Sequence, residues 1–136
     1  DACFIHICRD PAETLPSICS LTSQVRKGFS NSVDLKDLGN RTLEFWSRSN
    51  AKNEAQKQKI PSESYMQIEY TDLVNDPINL IKDIYSKFSL ALNDKTVRAM
   101  ETYVEEGSKE AKAKHNYSLE DYGLDLQEVH NKLNFS

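Results

Sequence analysis

The chain has 136 residues, 38% of them hydrophobic and 28% charged; that is enough for one domain with a core and excludes a disordered chain. A net charge of −4 argues against a general nucleic-acid or membrane-surface binder, which would show a basic face, but leaves room for a small anion held by a few local cations. No apolar run approaches the about 18 residues of a membrane span, and the three cysteines (Cys3, Cys8, Cys19) are an odd count without metal spacing, which suits a reducing, cytoplasmic setting.

Ala2 to Cys8 is apolar except for His6, too short for a lone helix, and followed by a helix start. It reads as a parallel strand buried on both faces, with His6 a hydrogen-bonded core histidine. So abrupt a beginning predicts that earlier elements of a larger domain precede it. Asp10-Pro11 opens a helix, because Asp can cap unpaired amides and Pro suits the first turn. That helix should run to about Lys27 and stop before Gly28, with Pro16 kinking it or loosening its first turns. A long polar helix follows from about Leu35 to Gln58, with Leu35, Leu38, Thr42, Phe45 and Trp46 on its apolar stripe and Trp46 in the core.

"YMQIEY", Tyr65 to Tyr70, alternates as a second strand. Asp76-Pro77 starts another helix, with Ile78, Ile81, Ile84, Tyr85 and Phe88 on one face. A further helix turns Val97, Met100 and Val104 inward and stops at Gly107. A basic, irregular stretch comes next, in which Ser118 and Asp121 form a capping box and Tyr117 and Tyr122 serve packing. A short last helix carries Leu126, Val129 and Leu133. Strand, helices, strand, helices is the order of an α/β fold with parallel strands and helical crossovers. Two strands cannot bury themselves, so the expected architecture is one apparently truncated domain over 1–136, lacking sheet partners.

Arg9 stands at the carboxyl end of the first strand, the edge where open α/β sheets bind ligands. Its guanidinium is a fixed fork of donors that matches a phosphate. Ser17 follows eight residues later with a hydroxyl donor. The plainer alternative pairs Arg9 with a surface carboxylate and leaves Ser17 merely polar. No His/Cys/Asp cluster has metal spacing, and Asp72 suits a cap or loop brace better than acid–base work.

Three stretches together resemble the sulfotransferases that use 3′-phosphoadenosine 5′-phosphosulfate (PAPS), in their bacterial-type branch. "FIHICRDPAETLPSICS" is similar to the segment in which an Arg and a Ser at this spacing hold the donor's 3′-phosphate, which implies that role for Arg9 and Ser17. "IEYTDLVNDPINLIKDIYSKFSL" resembles the segment whose Tyr approaches the adenine, implying Tyr70. "KHNYSLEDYGL" resembles a closing motif near which a basic residue covers the phosphate, implying Lys114 and then His115, while Lys109 and Lys112 could equally be solvated.

The resemblance implies a partial three-layer, P-loop-like fold whose N-terminal P-loop-like strand and helix are missing, a PAPS cosubstrate yielding 3′,5′-adenosine bisphosphate, and no metal. It implies sulfuryl transfer to a hydroxyl or amine on a small molecule, glycan or peptide, with no nucleic acid or membrane partner in this segment and no indication of oligomeric state. No stretch matches the family's 5′-phosphosulfate loop or general base, so the catalytic residues are unassigned and the segment alone should be inactive. The rival readings are a non-enzymatic helical interaction module and another P-loop-fold nucleotide enzyme, such as a small-molecule kinase.

Overall fold

Parallel pairing of the two predicted strands organises one part of the chain. In the computed structural model, which describes residues 2–107 and 117–133, strand β1 (Phe4–Cys8) lies parallel to strand β2 (Tyr65–Glu69), in register from Phe4 opposite Tyr65 to Cys8 opposite Glu69. Between them in the chain come helices α1 (Pro11–Lys27) and α2 (Leu35–Lys57), and after them α3 (Tyr70–Asn75), α4 (Pro77–Lys87), α5 (Asp94–Gly107) and α6 (Leu126–Leu133). The fold class is α/β, as the element order predicts.

Contacts divide the chain into two compact units, Asp1–Cys8 with Ile60–Lys114, and Arg9–Lys59 with His115–Ser136. In the first unit, α3 packs on β2 and on α4, and α4 on α5. Ile68 is its buried strand residue. His6 keeps the predicted hydrogen bond, with Nδ1 2.7 Å from the Tyr65 hydroxyl, but is only half-buried. The expected burial of β1 on both faces is not found: Phe4, Ile5 and Ile7 stay 45–48% exposed, because a two-stranded sheet offers too little surface to be sandwiched. The second strand also ends one residue earlier than predicted. Tyr70 opens α3, a helix that alternation alone did not reveal.

The second unit has the larger core. Leu15 and Cys19 of α1 and Leu43 of α2 meet Leu119, Tyr122, Leu124 and Val129 from the end of the chain. Burial raises the Cys19 thiol pKa, and the Thr42 side chain partly offsets this. Helix α1 follows its local signals. The Asp10 carboxylate accepts from the Ala12 amide at 2.8 Å, Pro11 takes the first position and the helix ends at Lys27. It continues through Pro16. Proline there removes one donor, the partner of the Ala12 carbonyl, and the ring is buried.

On α2 the buried face is turned toward Leu38, Gly39 and Leu43, so Phe45 is 64% and Trp46 41% exposed rather than in the core. Gly39 explains the turn. Its lack of a side chain lets Tyr122 approach, and a Cβ there would lie 2.9 Å from the Tyr122 Cβ. The turn of 3-10 helix at Glu120–Tyr122 is closed by Gly123 at φ 65, a left-handed conformation that favours glycine. Of the predicted capping box, the Asp121 carboxylate does accept from the Ser118 amide, at 2.7 Å.

Candidate functional site

Arg9 immediately precedes the cap of α1, and the cap determines what the helix start can offer an anion. The Ala12 amide donates to the Asp10 carboxylate, and those of Glu13 and Thr14 donate to the Asp10 carbonyl at 3.1 and 3.2 Å. Pro11 has no amide hydrogen. The first turn therefore has no spare backbone donor, and an anion here must be held by side chains. The same Asp10 Oδ1 also meets His130 Nε2 of α6, 3.0 Å away.

Arg9 Nε donates to Glu13 Oε2 at 3.1 Å, and a terminal guanidinium nitrogen lies 3.1 Å from the same oxygen. Both side chains face solvent, 45% and 62% exposed. An exposed pair of this kind contributes about 0.2–1 kcal/mol, so it yields readily to a stronger anion. Ser17 lies one helical turn beyond Glu13. The i, i+4 spacing puts Glu13 and Ser17 on one face of α1, the face along which Arg9 reaches. Ser17 is half-buried, and its Oγ receives the Tyr117 hydroxyl at 3.0 Å. Glu13 and Ser17 thus share one face of α1, with the Arg9 guanidinium against Glu13 and the Tyr117 phenol against Ser17. This strip can bind a dianion through the Arg9 fork and one hydroxyl donor, provided that Glu13 gives way.

Of the predicted site residues, Arg9 and Ser17 lie in this unit on one helix entrance. Tyr70 belongs to the other unit, half-buried at the first position of α3. Lys109, Lys112, Lys114 and His115 lie outside the described residues. Sequence reasoning missed Glu13 as the partner of Arg9, although an acid four residues on is a readable signal. It assigned Tyr117 to packing alone. Nothing local could link Tyr117 to Ser17, 100 residues away. Among the described residues no group of His, Cys, Asp and Glu is placed to hold a metal ion, and no helix is long and apolar enough to cross a membrane.

Comparison with known proteins supplies the context for this strip. The sequence profile of the Sulfotransferase family matches residues 1–94. The structure superposes on the crystal structure of a sulfotransferase from Mycobacterium tuberculosis with a TM-score of 0.79 at 29% identity, covering 98% of this chain and 33% of that one. A sulfotransferase from Mycobacterium avium gives a TM-score of 0.80 at 19% identity, with 94% and 34% covered. The chain thus spans about a third of the length of the solved structures it resembles. No curated protein sequence matches it significantly.

Proposed function

This chain belongs to the sulfotransferase family, and on that premise we propose that it holds the nucleotide half of PAPS during sulfuryl transfer to a hydroxyl or amine. Arg9 and Ser17 grip the 3′-phosphate, Tyr70 lies against the adenine, and Lys114, with His115 second, closes over the phosphate. The observation that carries the reading is the strip on α1. Its backbone donors are all engaged, while a solvent-facing guanidinium and a serine hydroxyl lie along one helix face. That set of donors suits a phosphate monoester, and the exposed pair with Glu13 is a weak competitor for it.

PAPS supplies the transferable sulfuryl group and leaves as 3′,5′-adenosine bisphosphate once the acceptor oxygen or nitrogen has taken the group and lost its proton. The contribution of this chain is binding and orientation. Two charge-assisted contacts to a phosphate remote from the sulfur fix the nucleotide, so remote binding energy goes into positioning the reacting group. The same contacts distinguish PAPS from nucleotides without a 3′-phosphate. Tyrosine offers adenine a flat apolar face with a polar tip.

The test is a thermal and calorimetric titration of the purified protein with 3′,5′-adenosine bisphosphate and with adenosine 5′-monophosphate. The bisphosphate should bind at least about ten-fold more tightly, the worth of one charge-assisted hydrogen bond. At 100 times its Kd it should stabilise the protein by about 2.7 kcal/mol. Arg9→Ala should remove most of the difference between the two ligands. Equal binding of both would favour a kinase-like nucleotide enzyme, and binding of neither a helical interaction module.

A further inference from the structure

Several hydroxyl groups on the helices of this protein bond back to their own helix. Thr14 donates to the carbonyl of Asp10, Thr42 to that of Leu38, Ser49 to that of Phe45 and Thr102 to that of Arg98, each four residues earlier and at 2.7–3.0 Å. This is the ordinary fate of a serine or threonine inside a helix. Ser17 departs from it. Among the described residues its hydrogen bond is to Tyr117, whose hydroxyl donates to Ser17 Oγ at 3.0 Å. A serine hydroxyl has one proton to give and two lone pairs to receive with. When the phenol gives its proton to Oγ, the serine's own proton is left for a further acceptor.

Tyr117 is well placed to impose this. Its ring packs against the core formed by Leu15, Cys19, Leu119 and Tyr122, and two residues later Leu119 is itself buried. The phenol is anchored by packing, and its polar tip reaches the serine. We propose that Tyr117 is a positioning residue for nucleotide recognition: it draws the Ser17 hydroxyl away from its helix and presents that proton to the 3′-phosphate. This rests on the reading that Ser17 meets that phosphate. The chain of donors, phenol to serine to phosphate oxygen, also polarises the serine, because consecutive hydrogen bonds strengthen one another. Tyr117 thereby raises selectivity for a 3′-phosphate without touching the nucleotide.

The experiment is a double-mutant cycle on the purified protein, with Kd measured calorimetrically for 3′,5′-adenosine bisphosphate and for adenosine 5′-monophosphate. Tyr117→Phe keeps the ring and removes the donor. It should weaken the bisphosphate by about five- to ten-fold, the worth of one hydrogen bond, and leave the monophosphate unchanged. Ser17→Ala approaches the same bond from the other side and leaves the packing of the ring alone. In its background Tyr117→Phe should cost nothing more. A Tyr117→Phe protein that binds the bisphosphate as well as the wild type overturns the inference. So does equal weakening of both nucleotides, or a full additional loss on top of Ser17→Ala, since each marks a structural role. If Arg9→Ala abolishes the preference for the bisphosphate while Tyr117→Phe keeps it, the nucleotide site stands and only the role of Tyr117 falls. If the wild type shows no preference at all, both fall together.

Discussion

Arg9 and Glu13 show how far a single exposed pair can be pushed. Their contact at 3.1 Å is geometrically sound, yet both side chains face solvent, so water already screens most of the attraction. On the proposed reading Glu13 competes with the 3′-phosphate for the guanidinium. Glu13→Gln should leave stability nearly unchanged and tighten binding of 3′,5′-adenosine bisphosphate by about two- to five-fold, the range such a pair is worth. A titration beside the wild type measures this. Weaker binding in the variant would mean that Glu13 aims Arg9 instead of restraining it. The pair was readable in advance from its i, i+4 spacing. The bond from Tyr117 to Ser17 was not, because hydroxyls carry no charge or period that marks a partner 100 residues away.

At the scale of the element, local signals were dependable where the backbone itself sets the outcome. Asp10-Pro11 starts α1, as capping chemistry requires, and the helix ends at Lys27 before Gly28, as expected, although that glycine keeps a right-handed conformation at φ −69. Packing decided the rest. The predicted apolar stripe on α2 holds at Leu38 but not at Phe45 and Trp46; the helix presents Gly39 and Leu43 instead, because the glycine alone admits the turn that carries Tyr122. This gives a prediction that runs against helix propensity. In an open helix Gly→Ala gains about 1 kcal/mol. At Gly39 the added methyl meets the backbone and Cβ of Tyr122, neither of which can rotate away. Gly39→Ala should therefore destabilise the protein by about 1–3 kcal/mol in chemical denaturation, as overpacked sites do. A gain in stability would show that the turn does not pack there.

Over the whole molecule, the order of the chain and the order of the contacts differ. The family profile ends at residue 94, but the residues that complete the core around α1 and α2 lie at 119–129. Leu119, Tyr122, Leu124 and Val129 cover Leu15, Cys19 and Leu43, and Asn50 and Ser47 of α2 donate to the carbonyls of Leu133 and Lys132 at the end of α6. The helix that follows Arg9 and carries Ser17 thus depends on the far end of the sequence. Truncation after Gly107 should expose that core and make the α1–α2 unit sensitive to trypsin at Arg26, Lys27 and Arg41. A resistant α1–α2 fragment on a gel would show that the two helices hold together unaided.

The amino-acid sequence by itself determined the α/β order, the parallel strands, the caps of α1 and α4 and, through three ordered motifs, the family. These are properties of neighbours along the chain, where capping, periodicity and proline chemistry act within a few residues. The tertiary structure alone decided which face of α2 is buried, that Tyr70 begins a helix instead of ending a strand, and that Ser17 is held by Tyr117. Each of these turns on contacts with residues that the sequence does not place beside them, and steric fit and hydrogen-bond satisfaction in a packed interior become defined only once the chain has closed on itself.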